Sequence, residues 1–65
     1  MKRGDMVEIV RTIEGFPRGT VGIVEEFVDE NLVSGRMCYL KVIIPEMGKS
    51  FYISPGSVEI ISEAR

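Results

Sequence analysis

Short runs in which apolar and polar residues alternate, separated by clusters of Gly, Pro, Ser and Asn, set the pattern of this chain. From Met6 to Thr12 the order Met-Val-Glu-Ile-Val-Arg-Thr puts Val7, Ile9 and Arg11 on one face and Met6, Glu8 and Val10 on the other. That period of two predicts a strand covered mainly on one side. Ile13 to Gly19 then holds two glycines and a proline, which predicts an irregular first loop. Thr20 to Phe27 resumes strand character with Val24 pointing inward, and Gly22 within it marks a bulge, a sharp bend or a close backbone approach. The rest of the chain is placed around this bend and second strand, Phe16 to Phe27.

Val28 to Arg36 mixes acids with Asn, Ser and Gly and predicts a mobile second loop. Met37 to Ile44 is the longest apolar stretch and the candidate central strand, with Leu40, Val42 and Ile44 on one face and Tyr39, Lys41 and Ile43 on the other. Pro45 to Gly48 reverses the chain into Lys49 to Ile53, where Phe51 and Ile53 share a face. Ser54 to Ser57 predicts a single 3₁₀ turn, and Val58 to Ile61 a last strand with Val58 and Ile60 inward. Ser62 to Arg65 is expected to be a frayed polar tail.

Composition narrows the reading. Sixty-five residues allow one domain, 1–65, that buries only about 60% of the surface its unfolded chain exposes. The 45% hydrophobic content suffices for a single thin core. Cys38 is the only cysteine, so no intrachain disulfide forms, and the residue is expected to behave as a small buried hydrophobe in a reducing compartment. Histidine is absent, which removes the usual general base, the commonest metal ligand and any activator for Ser50, Ser54 or Ser57. With no metal-ligand spacing and no phosphate-cradling glycine loop, the expectation is a protein without catalytic activity, cofactor or metal.

Eight Lys plus Arg against ten Asp plus Glu give a net charge of −2. An isoelectric point near 5.0 disfavours non-specific nucleic-acid binding. Met1 to Asp5 carries no apolar leader and no segment reaches bilayer length, so the expected location is cytoplasmic without membrane insertion.

Gly4-Asp5-Met6-Val7-Glu8-Ile9 looks like the entry strand of KOW-type barrels, and Gly19-Thr20-Val21-Gly22-Ile23-Val24 resembles their second strand. Tyr52 to Ile60 is similar to the closing segment of SH3 folds. In this order and over nearly the whole chain, the pieces resemble the SH3-like small β-barrel superfamily. That resemblance implies an all-β fold, a single five-stranded SH3-like barrel with a short 3₁₀ turn before the last strand.

Signalling SH3 domains use a Trp and a closing-turn Tyr to bind Pro-x-x-Pro peptides. This chain has no Trp and carries Ser57 and Val58 where that Tyr is expected, so such binding is not implied. Arg18 to Val24 followed by Tyr39-Leu40-Lys41-Val42 resembles small accessory barrels of the PsaE type in photosystem I and the NifZ type associated with nitrogenase. A shared barrel specifies fold rather than function.

Two functional expectations follow. The first is a non-enzymatic binding module or accessory subunit that docks on a protein partner or larger assembly through barrel loops. Its anchors would be Phe16, Pro17 and Arg18 on the first loop, supported by Tyr39 and Tyr52, since aromatic and guanidinium side chains are enriched at interfaces. Plainer alternatives are that Phe16 folds back to cap the barrel and that the tyrosines form a cross-strand packing pair.

The second expectation is a KOW-like nucleic-acid or ribosome-associated protein in which Arg11, Arg18, Arg36 and Lys49, with Lys41 nearby, contact phosphate. Glu25, Glu26, Asp29 and Glu30 form an acidic run suited to a basic partner or a loosely held divalent cation, or simply to keeping strand edges apart.

Overall fold

A computed structural model describes residues 1–13 and 15–64; Glu14 of the expected first loop and Arg65 of the expected tail lie outside it. The protein is all-β: five antiparallel strands, β1 (Met6–Ile9), β2 (Val21–Leu32), β3 (Gly35–Ile44), β4 (Lys49–Ile53) and β5 (Val58–Ser62), form one sheet. Their order is β4-β3-β2-β1-β5, which leaves β4 and β5 as the two edges and β2 at the centre. A 3₁₀ turn at Pro55–Ser57 precedes β5, as the Ser-Pro-Gly-Ser sequence predicts. Among the described residues no helix is long and apolar enough to cross a membrane.

One cluster forms the core: Val7 and Ile9 from β1, Val24 from β2, Leu40, Val42 and Ile44 from β3, Ile53 from β4 and Val58 from β5. Period-two alternation alone selects every one of these positions. Ile53 and Val58 belong to opposite edges of the sheet yet share this cluster, so the sheet curls around its apolar face. Ile60 is the exception to the expected core. It stands opposite Val7 and hence on the apolar face, but stays 37% exposed, unlike Val58 two residues earlier on the same edge strand.

The largest departure from expectation lies in Val28 to Arg36. Instead of a mobile loop, β2 and β3 continue as a paired ribbon to a two-residue turn at Val33 and Ser34, closed by Gly35 at φ 139. β1 pairs with β2 only over Val21–Ile23, and β4 with β3 only over Leu40–Ile44. Beyond those limits the ribbon has solvent on both faces, so its strand residues carry no apolar alternation to betray them. A fork of two 2.7 Å hydrogen bonds from Arg36 to Asp29 braces it. This pairing holds the Asp29 carboxyl below its usual range and raises Arg36.

Cys38, expected to be buried, sits on the same ribbon opposite Asp29 and is exposed.

The C-terminal tail is also tied rather than frayed as far as Ala64. The Ala64 N–H donates to Asp5 Oδ1 at 2.7 Å and the Lys2 N–H to Oδ2 at 2.9 Å, while Asp5 is only 2% exposed. These bonds, that from Ala64 foremost, together with the Lys2 and N-terminal charges, lower the Asp5 pKa from its ordinary 3.8 against the opposing effect of burial. A carboxyl lowered in the folded state contributes stability that is present above its ordinary value and lost as pH falls through the folded value. The urea midpoint of the wild type is therefore expected to fall on acidification below about pH 4, while the gap between it and Asp5→Asn narrows. Urea titrations of both proteins across a pH series check this, and a gap that stays constant with pH would contradict it.

Candidate interaction face

On the side of the sheet away from the core, the candidate face is carried by β2, β3 and β4. A bulge between Val24 and Glu26 inserts Glu25 as an extra residue, so two consecutive carboxylates reach the outer face opposite Lys41. Glu25 accepts a hydrogen bond from the Ser50 hydroxyl of β4 and lies 3.8 Å from the Lys41 ammonium. Glu26 accepts a 2.6 Å bond from the Tyr39 hydroxyl, which raises the Tyr39 pKa above its usual value, with burial and the nearby Glu26, Tyr52 and Glu30 adding to the rise. Tyr39 packs edge to face on Tyr52, with ring centroids 5.8 Å apart and planes at 71°. Lys41 Nζ lies 5.9 Å from the centre of the Tyr52 ring. Tyr52 itself is 70% exposed.

The residues expected to anchor a partner are divided between two surfaces. Tyr39 and Tyr52 come together on the outer face. Phe16 goes to the other side of β4, where its ring packs edge-on against Phe51 at 4.7 Å and joins the rim of the core. Its turn is drawn inward by the Phe16 N–H to Ile13 carbonyl bond of 3.0 Å. Pro17 and Arg18 remain exposed in the following turn, which Thr20 fastens by donating from both its N–H (3.2 Å) and its hydroxyl (2.6 Å) to the Pro17 carbonyl.

Of the expected phosphate contacts, Arg11, Arg18 and Lys49 are exposed, whereas Arg36 is committed to Asp29. Among the described residues there is no pocket and no group of three or more potential metal ligands, so the candidate site is a face rather than a cleft.

Sequence reasoning found the tyrosines and Lys41 but missed Glu25, Glu26 and Ser50 as their companions. The alternation of β3 already put Tyr39 and Lys41 together. The bulge that brings both glutamates to the same side left no mark, because a bulge is set by pairing between strands. Compared with protein-family models, with curated proteins and with solved structures, the chain matches none.

Proposed function

We propose that the protein is a non-enzymatic binding module or accessory subunit with an SH3-like barrel fold, docking on a protein partner or larger assembly through the outer face of β2, β3 and β4. The barrel reading is supported by the strand order, by a long β2 bent at its bulge and pairing with both halves of the sheet, and by the 3₁₀ turn between β4 and β5. A core that joins both edge strands fits the same reading.

The exposed tyrosine pair carries the functional reading. Tyr52 offers 70% of its surface to solvent while its ring is held by Tyr39, whose hydroxyl is in turn held by Glu26. A large aromatic surface fixed before binding loses little side-chain entropy on contact, which is the property of an interface anchor. With Phe16 spent on Phe51, the first loop contributes Pro17 and Arg18 alone to any partner surface.

Affinity purification from native lysate, with and without nuclease, tests the proposal. The wild type is expected to retain a nuclease-resistant protein that Tyr52→Ala binds at least about tenfold more weakly. The substitution should cost about 1 kcal/mol or less of stability, because it removes an aromatic contact and no core residue. A partner held equally by both proteins would overturn the docking face. Recovery only of components that vanish with nuclease would favour the KOW-like alternative, with Arg11, Arg18 and Lys49 contacting phosphate.

A further inference from the structure

Strand register sorts the charges of this protein between its surfaces. Residues directly opposed in a sheet share a face, so Glu8 and Glu59, opposed across β1 and β5, lie on the same outer side as Glu26 and Lys41, opposed across β2 and β3. Glu30, opposite Met37, joins them, and the contacts of Glu25 with Ser50 and Lys41 bring it there too. Five carboxylates thus share the outer face with one ammonium, whereas the whole chain carries a net charge of only −2.

The other described cations lie elsewhere: Arg36 is on the opposite side of the ribbon with Asp29, Lys49 stands opposite Ile44 and so on the core side of β4, Arg11 and Arg18 are in the first loop, and Lys2 and Arg3 are in the N-terminal turn. Glu8 and Glu59 are like charges directly opposed, an arrangement that costs stability unless an outside cation relieves it, and neither has a cation within ion-pair distance among the described residues.

Apolar side chains accompany this charge. Met6, Val21, Met37 and Ile43 are each about 37 to 40% exposed, and Tyr52 more so. The Lys41 ammonium, held between Glu25 and the Tyr52 ring, is an example within the chain of the contact this face offers to a cation.

From this placement we infer that the outer face receives a basic, arginine-bearing segment of a protein partner, whose guanidinium groups pair with Glu25, Glu26 and Glu30 and stack on Tyr52. This rests on the docking reading above and names the chemistry of its partner. Arginine suits the face better than lysine, because a planar guanidinium lies on an aromatic ring and forks onto carboxylates at once. A nucleic acid is the opposite case, since its phosphates would meet the carboxylates of Glu25, Glu26 and Glu30.

The test uses the intact protein and a short unstructured peptide carrying two arginines on a Gly/Ser background, with a second peptide bearing glutamine in their place. Amide NMR titration is expected to show saturable shifts on β2, β3 and β4 with the arginine peptide, weakened by added salt and absent with the glutamine peptide. The variant Glu25→Gln/Glu26→Gln/Glu30→Gln keeps the acceptors for Ser50 and Tyr39 while removing the charge, and should bind at least about tenfold more weakly. Lys41→Met removes the cation already present and should bind more tightly. Equal shifts with both peptides, shifts confined to another surface, undiminished binding by the triple variant, or weaker binding by Lys41→Met would each overturn the inference.

The lysate experiment separates this from the docking reading. A partner lost with Tyr52→Ala but kept by the triple variant overturns the basic-segment inference alone. A partner kept by Tyr52→Ala overturns both.

Discussion

Replacing Gly22 with alanine is expected to destabilise the protein by about 3 kcal/mol, at the upper end of the usual cost of overpacking a filled core. Gly22 lies on β2 opposite Val7 of β1, facing the side chains of β3. A Cβ built there falls 2.2 Å from Val42 Cγ1, 2.9 Å from Ile44 Cδ1 and 3.1 Å from the Ile43 carbonyl oxygen. Val42 and Ile44 are fully buried, so neither can turn away without displacing the core around it, and the carbonyl belongs to the backbone. The missing side chain lets β2 pack directly against the core side chains of β3. Urea denaturation measures the loss, and a change below about 0.5 kcal/mol would show that Val42 and Ile44 repack freely.

Leu40→Ala is the second large effect, with an expected loss of about 3 kcal/mol from the lost burial and the cavity left behind. Leu40 has no exposed surface and stands between Phe27 of β2 and Ile53 of β4. A domain of this length has a total stability of about 3 to 10 kcal/mol, so the variant should be largely unfolded in mild urea. Ile43→Ala provides the control on the same strand. Ile43 faces outward at 37% exposure, and its truncation should cost about 1 kcal/mol or less. Equal losses for the two variants, read from urea midpoints with a common slope, would contradict the assignment of faces on β3.

Neither Gly22→Ala nor Leu40→Ala touches the tyrosine face, so binding and stability are separable here. Tyr39, Lys41, Ser50 and Tyr52 project from the side of the sheet opposite Leu40, Val42 and Ile53. Alternation decides this division locally, one strand at a time. For that reason Val7, Ile9, Val24, Leu40, Val42, Ile44, Ile53 and Val58 were legible as core in the sequence. The Pro-Glu-Met-Gly reversal and the 3₁₀ turn were legible because Pro and Gly restrict the backbone wherever they stand.

The ribbon from Val28 to Arg36 was not legible. Its strands are polar on both faces because water lies on both, and a loop has the same composition. The anchoring of Ala64 by Asp5 escaped notice for a different reason: its partners are 59 residues apart, and a backbone N–H has no signature in the sequence. Phe16 offered two destinations, partner or core, and its sequence neighbours favoured neither. The position of Phe51 on β4 decided for the core.

By itself, then, the sequence determined which residues of the amphipathic strand segments face inward and where proline and glycine turn the chain, because these depend on neighbours two to four positions apart. Tertiary structure alone decided that Gly22 lies against Val42, that a bulge turns Glu25 and Glu26 to the same side, and that Glu25, Glu26 and Glu30 gather beside two tyrosines. Each of those outcomes depends on the register between strands, and register is a property of the folded sheet as a whole.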